Sequence, residues 1–352
     1  MEENEKQKKL IDSLFQKEWK DKHVCWGGGI EITTNCNFKC IHCYLEGSHN
    51  VDNSMPLSMF KNIVDQLYDN GVIFVYLTGG EIFTHKNFKD MYLYLKQKGF
   101  IVELLTNISL LNDDLVSLFK EYPPFNISIS IYGSNENEYN VVTKNPYSFN
   151  LVKNSIKKLI DNDIPFELKT PVLKETIPFI LKIKELANKQ NIKFIYFDNI
   201  FPIFDESNSN ENHRATAKEV IELESKDDER VKLWSSLHNS CSYKKNKDID
   251  DLYLCHYGSD SFFITYDGYV EGCNKMRLKK WNINQYSFKQ CWDLIDVERK
   301  RKVKANNYDC LNCFYSRICQ PCPADNVLFN GDELKAPKIK CEKCKLRFEK
   351  FK

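Results

Sequence analysis

No stretch of this 352-residue chain approaches the roughly 20 consecutive apolar residues of a membrane-spanning helix. The opening Met1-Glu2-Glu3-Asn4-Glu5 is acidic and polar, unlike a secretory signal. There is no surplus of either charge: 50 Lys and Arg stand against 49 Asp and Glu, a formal +1. That balance offers no electrostatic case for a nucleic-acid or membrane surface. No internal repeat is visible. The chain is therefore expected in the cytoplasm, with neither nucleic acid nor membrane as a partner. Cysteine, by contrast, is abundant, with fourteen in the chain. Without an export signal these read as metal ligands in a reducing compartment rather than as a disulfide framework.

The densest group is Cys36-Asn37-Phe38-Lys39-Cys40-Ile41-His42-Cys43, directly after the apolar run Ile30-Glu31-Ile32-Thr33-Thr34. Soft thiolates at short fixed spacing suit an iron–sulfur cluster or zinc. Three thiolates leave one iron of a [4Fe–4S] cube free for a non-protein ligand, whereas a structural zinc site closes with four. Zinc would need His42, His49 or Cys25 as the fourth.

From about residue 28 to 225, short β-rich runs alternate with amphipathic helical ones. Strands are predicted over 30–34, 72–77, 100–106, 125–131, 166–170 and 194–197. Phe60, Ile63, Val64, Leu67 and Tyr68 keep helical spacing, as do Phe149, Val152, Ile156, Leu159 and Ile160. Six β-then-α units imply a parallel sheet, most economically a curved partial barrel. The fold class expected is α/β, a partial (β/α)6 TIM-type barrel followed by a small cysteine-rich α+β domain. The boundaries are 1–27 for an N-terminal helical extension with an apolar stripe (Leu10, Ile11, Leu14, Phe15), 28–225 for the barrel, 226–253 for a linker or bridging helix, and 254–352 for the second domain. The run 204–213 is expected as a loop. Active sites of such barrels gather at the C-terminal ends of the strands, where the three-cysteine loop falls.

The Cys-x3-Cys-x2-Cys spacing resembles the signature of the radical S-adenosylmethionine enzymes. The resemblance implies that Cys36, Cys40 and Cys43 hold a [4Fe–4S] cluster whose open iron chelates S-adenosylmethionine, and that His42 lies against the adenine. One-electron reduction then releases a 5′-deoxyadenosyl radical. Thr78-Gly79-Gly80-Glu81, after the second strand, is similar to the family motif for the methionine amino group. By the same resemblance Asn107 lies near the ribose, Ser130 contacts the cofactor and Lys169 faces the methionine carboxylate.

A second set follows: Cys255, Cys273, then Cys310-x2-Cys313-x5-Cys319-x2-Cys322, then Cys341. It resembles the SPASM extension of radical enzymes that act mainly on peptides and proteins, with a β-hairpin turning at Asp267-Gly268. The resemblance implies two auxiliary [4Fe–4S] clusters, three in all. Cys255, Cys273 and Cys322 would hold the first, and Cys310, Cys313, Cys319 and Cys341 the second. The x2 spacing before Cys322 departs from the usual x3, and Cys344 makes an extra Cys-x2-Cys pair. The fourth ligand of the first cluster is therefore open, Cys344 or another residue. Taken alone, three Cys-x2-Cys pairs would also suit zinc. Cys25, Cys241 and Cys291 fit no pattern and read as buried small hydrophobes, although one of these, or Cys344, would also serve as a hydrogen-atom donor.

The function expected is peptide-modifying oxidoreductase or lyase chemistry. A ribosomally made precursor peptide would gain a thioether, a carbon–carbon crosslink or an inverted centre. The alternative is a small-molecule or cofactor precursor, as in haem-modifying relatives. Sulfatase maturation is disfavoured because Asn274 stands where those maturases carry a catalytic Asp. A non-catalytic zinc or electron-transfer protein leaves the first motif unexplained. A flavodoxin or ferredoxin would supply the electron. Only about 27 residues precede the barrel, so a separate leader-recognition protein or direct recognition would recruit the peptide.

Overall fold

The computed structural model describes residues 23–45, 53–200, 202, 209–240, 251–304, 307–311 and 313–352. The N-terminal stripe, His49, Cys241 and residues 204–208 of the polar run lie outside the described residues. Of that run, Ser209–His213 forms a 3-10 turn rather than open loop.

Six strands pair in parallel in chain order: β1 (Gly27–Thr33), β2 (Phe74–Gly79), β3 (Ile101–Thr106), β4 (Asn126–Ser130), β5 (Phe166–Pro171) and β6 (Phe194–Phe197). Helices connect them: α1 (Leu57–Asp69), α2 (Phe88–Gln97), α3 (Asp113–Glu121), α4 (Glu136–Thr143), α5 (Ser148–Asp161) and α6 (Ile177–Lys189). The sheet stays open, as a partial barrel, and all six expected strands are present. Two further helices follow, α7 (Ala217–Ser225) and α8 (Asp228–Ser240), the latter within the expected bridging segment.

The C-terminal region then rejoins the same sheet. Strands β7 (Ser261–Ile264), β8 (Tyr269–Glu271) and β9 (Lys280–Asn282) form an antiparallel meander whose first strand lies parallel to β1. The strand order is β6-β5-β4-β3-β2-β1-β7-β8-β9. The expected hairpin is present at Asp267-Gly268, but the β1–β7 pairing makes the two halves one continuous sheet. Helices α9 (Phe288–Arg299), α10 (Ser316–Cys319), α11 (Pro323–Asn330) and α12 (Lys338–Lys350) complete the chain.

Strand periodicity separates core from lumen. Ile30, Ile32, Val75, Leu77, Val102, Leu104, Ile127 and Ile129 are fully buried and belong to the main hydrophobic cluster. The alternate residues Tyr76, Thr78, Glu103, Leu105, Ser128, Ser130, Lys169 and Pro171 line a cavity. On α1 the expected face is buried at Phe60, Ile63, Val64 and Leu67. Tyr68 is the exception: it is exposed, with the Lys98 ammonium 5.3 Å from its ring centre. On α5 the stripe is rotated, with Val152, Ser155 and Leu159 inside and Ile160 exposed. Among the described residues no helix is long and apolar enough to cross a membrane.

Candidate active site

The loop after β1 is held from three sides. The backbone N–H groups of Lys39 and Ile41 donate to the last carbonyls of α4, Thr143 and Val142, both at 3.0 Å. Those carbonyls have no partner inside the helix, so the loop satisfies them. Phe38 is buried and anchors the loop in the core. The Asn145 amide donates to the Asn37 carbonyl (2.9 Å), and the Asn37 amide donates to Ser109 Oγ (2.8 Å). This polar frame fixes where the three thiols stand.

Donors also reach the first thiol. Cys36 Sγ accepts from the Phe38 N–H at 3.4 Å and from Asn107 Nδ2 at 3.9 Å. Without a metal, burial and the nearby Cys43 and Glu81 push the Cys36 thiol up to about 12. Burial, with Cys43 and Cys36, holds Cys40 well above its usual range. Three half-buried thiols set this close together are suited to a cationic metal group, which deprotonates its ligands. The donor set, three soft sulfurs with N–H groups aimed at one of them, fits a cluster with an open position.

Cys36, Cys40 and Cys43 line one end of a cavity of about 480 Å³, together with His42, Gly79, Gly80, Asn107 and Tyr132. Ser130, Lys169, Tyr76, Glu103, Phe263 and Asn274 line it further along. His42 is pushed down to about 4 by burial and by His213, so its ring is neutral at physiological pH. It lies 5.3 Å from the Tyr132 ring, and its Nδ1 has no hydrogen-bond partner. A neutral imidazole beside a phenol offers flat surface for a heteroaromatic ring.

Gly79 and Gly80 are required by close approach. A Cβ on Gly79 would fall 2.1 Å from the Thr33 carbonyl oxygen, and one on Gly80 would fall 2.4 Å from that of Asn35. The β2 turn therefore lies flat against the cysteine loop, with its backbone facing the cavity.

Glu81 sits elsewhere than its motif suggests. Its carboxylate does not line the cavity; it is fully buried and accepts from Phe83 N (3.0 Å), Asn107 N (2.7 Å) and Thr106 Oγ1 (2.7 and 2.9 Å). Burial pushes it up to about 6, against the pull of those donors. Here it ties the β2 turn to the end of β3. Lys169 faces the lumen but is paired with Glu167 (2.9 Å) and lies 4.0 Å from Glu103.

Several residues at this site carry no motif. Tyr76, Glu103 and Ser128 are found only by the period-2 pattern of inward positions. Tyr132 lies two residues past Ser130. From the C-terminal meander, Arg277 approaches Glu31 Oε1 (3.6 Å) and Glu271 Oε2 (3.8 Å), and stands 5.1 Å from the Phe263 ring centre. No sequence pattern pairs these elements.

The second cysteine set rings another cavity of about 300 Å³, lined by Cys310, Cys313, Cys319, Cys322, Cys341 and Cys344. Burial and then Cys319, Cys313 and Cys341 raise the Cys310 thiol, which places these four side by side. Cys319 and Cys344 act on each other, the Cys319 thiol held below its usual range and the Cys344 thiol above it. Cys344 therefore accompanies the second set, away from Cys255 and Cys273. Cys273, raised mainly by burial, also feels Cys255, and both feel Asp325, whose N–H donates to Cys322 at 3.4 Å. Cys25 and Cys291 are buried core residues, as expected.

Residues 30–187 match the family model of the Radical SAM superfamily. The AdoMet-dependent heme synthase of Methanosarcina barkeri is 23% identical over 323 residues, covering 86% of this chain and 93% of that one. The antilisterial bacteriocin subtilosin biosynthesis protein AlbA of Bacillus subtilis is 32% identical over 160 residues, 45% of this chain and 35% of that one. Streptococcus suis SuiB, solved bound to its precursor peptide SuiA, superposes with a TM-score of 0.70 at 15% identity, over 91% of this chain and 77% of that one. That last likeness is one of fold.

Proposed function

We propose, on the premise that residues 30–187 are a radical SAM domain, that this chain modifies a ribosomally made peptide by abstracting a hydrogen atom from a C–H bond. The observation that carries the reading is the single cavity shared by Cys36, Cys40 and Cys43, the His42 ring and the Gly79-Gly80 backbone. The domain implies S-adenosylmethionine and a [4Fe–4S] cluster. When bound, that pair supplies a one-electron cleavage that yields a 5′-deoxyadenosyl radical.

The chain's own residues do the rest. Asn107 and the Phe38 N–H steady the Cys36 sulfur, and the loop's ties to α4 fix the three thiols in place. The neutral His42 ring and Tyr132 offer a face to the adenine. Ser130 and Lys169 stand further along the same cavity, where they orient the cofactor. Phe263, Pro171 and Leu105 supply apolar walls that exclude water.

The second set supports two auxiliary clusters. Six thiols around one cavity of about 300 Å³ suit a polynuclear group, which spreads its metal atoms over several sulfurs. Cys255, Cys273 and Cys322 take the first, and Cys310, Cys313, Cys319 and Cys341 the second, with Cys344 beside it. A flavodoxin or ferredoxin is the reductant, and recruitment of the peptide is direct or through a separate leader-recognition protein.

A peptide is favoured by the bacteriocin and precursor-peptide proteins that this chain is similar to. A tetrapyrrole-type small molecule is the second reading, favoured by the near full-length similarity to the heme synthase. Sulfatase maturation fits less well, because the neutral Asn274 amide lines the cavity where a carboxylate base is expected. The deciding experiment is anaerobic reconstitution followed by incubation with S-adenosylmethionine and dithionite. The product of any short open reading frame found beside the gene and an iron porphyrin are supplied in turn. Substrate-dependent 5′-deoxyadenosine with a mass change in the peptide supports the first reading, and a change only in the porphyrin overturns it.

A further inference from the structure

We propose that Lys275, Asp325 and Lys340 form a buried charge triad that sets the reduction potential of the cluster held by Cys255, Cys273 and Cys322. The inference rests on the reading of that set as an iron–sulfur site. Lys275 follows Cys273 by two residues, and its Nζ lies 3.1 Å from Asp325 Oδ1. Lys340 immediately precedes Cys341, lines the second cavity, and pairs with the other oxygen, Asp325 Oδ2. Asp325 is 1% exposed, Lys275 14% and Lys340 18%.

The triad is built into the ligand scaffold. Cys322 caps α11, accepting from the Asp325 N–H, so backbone and carboxylate of one residue face the same thiol. Lys275 acts on the thiols of Cys255, Cys273 and Cys322, and Lys340 acts on Cys322 and Cys319. Asp325 acts on Cys255, Cys273 and Cys322 in the opposite sense.

Burying an ammonium group is costly, and here two are placed where metal ligation would turn thiols into thiolates. Reduction adds one negative charge to a cluster. A fixed cation nearby favours the reduced form and raises the potential, and a fixed anion lowers it; in a low-dielectric interior both effects are strong. Lys275 acts on the thiols of the first set, whereas Lys340 acts on one thiol of each.

The test is an EPR-monitored anaerobic redox titration of the reconstituted full chain. The Cys36→Ala, Cys40→Ala, Cys43→Ala background leaves only auxiliary signals. Lys275→Met is expected to move the midpoint of one auxiliary signal to more negative potential and leave the other unmoved. Asp325→Asn is expected to move the same signal in the opposite direction, and Lys275→Arg to restore it. A general loosening of the domain does not produce shifts of opposite sign. Should Asp325→Asn fail to retain iron, Lys340→Met supplies the second arm: both auxiliary midpoints move to more negative potential, because Lys340 acts on a thiol of each set, and Lys340→Arg restores them. An unmoved midpoint in an iron-replete Lys275→Met protein overturns the proposal. Zinc in place of auxiliary iron in the unsubstituted chain overturns instead the iron–sulfur reading beneath it.

Discussion

Arg347 clasps Glu224 with two parallel hydrogen bonds, Nε to Oε2 at 2.9 Å and Nη2 to Oε1 at 2.7 Å. Both residues are almost fully buried, and Arg347 also reaches Asp198 Oδ2 at 2.8 Å. Its guanidinium carbon stands 4.1 Å from the Trp234 ring centre. Through this clasp α12, which carries Cys341 and Cys344, is fastened to α7 and to the loop after β6. Removing one partner of a buried pair strands the other charge, at a cost of about 3–5 kcal/mol. Arg347→Met is therefore expected to lower the unfolding midpoint in urea and to reduce auxiliary iron after reconstitution. Iron and stability both equal to the unsubstituted chain would falsify the clasp.

The same cluster predicts a pH dependence. Burial acts to raise the Asp198 carboxyl, but Lys343 and Arg347 outweigh it and hold the group well below the usual carboxylate range. A depressed carboxylate contributes stability that is complete above the unfolded value and is lost as pH falls through the folded one. Urea midpoints measured from neutral pH downward should fall more steeply below about pH 4 in the unsubstituted chain than in Asp198→Asn. Parallel curves would mean that the ion pair contributes nothing measurable.

Glu81 separates two roles that its motif merges. Its carboxylate accepts from three donors on the protein, the Phe83 and Asn107 N–H groups and the Thr106 hydroxyl, which lies within reach of both oxygens. Glu81→Gln keeps the shape but turns part of the acceptor into a donor facing donors. The expected loss of stability is about 1–3 kcal/mol, read as a fall in melting temperature of the metal-free chain. If the residue only bound the cofactor's ammonium group, that melting temperature would stay unchanged and only S-adenosylmethionine affinity would drop.

How much of this was legible depends on the range of the interactions. The six parallel strands are written locally, in β-rich runs bounded by polar turns, and each appears where its run lies. Ile160 and Tyr68 look like core residues by spacing, yet each falls at the edge of its helical stripe and turns outward. The β1–β7 pairing joins segments more than two hundred residues apart, and no local pattern encodes it. For the same reason the three cysteines of the first loop were readable from their spacing. The Asn37, Ser109 and Asn145 frame was not, because it gathers single polar residues from three loops.

That frame yields a prediction at Asn107. Its amide donates to Asn37 Oδ1 at 3.0 Å and to Cys36 Sγ at 3.9 Å, and its Oδ1 accepts from the Ser109 N–H at 3.0 Å. Hydrogen bonds to ligand sulfurs raise cluster potentials. Asn107→Ala should shift the EPR midpoint of the radical-site cluster to more negative values and slow 5′-deoxyadenosine formation with dithionite. An unmoved midpoint with slowed cleavage would assign Asn107 to the cofactor ribose alone.

Cys344 poses the last question of ligand number. It is 2% exposed, three residues beyond Cys341 on α12, and Cys319 and burial hold its thiol above the usual range within the second cavity. With Cys322 proposed for the first cluster, five of the six thiols around this cavity remain for a site that a cube fills with four. Cys341, raised by burial and then by Cys319 and Cys313, is the proposed ligand, with Cys344 beside the Cys319 sulfur. Cys344→Ala should then retain about twelve irons per chain, three cubes, whereas Cys341→Ala should lose about four. The reverse pattern would exchange the two roles. Equal retention in both variants would mean that either thiol completes the site, so that only the double substitution empties it.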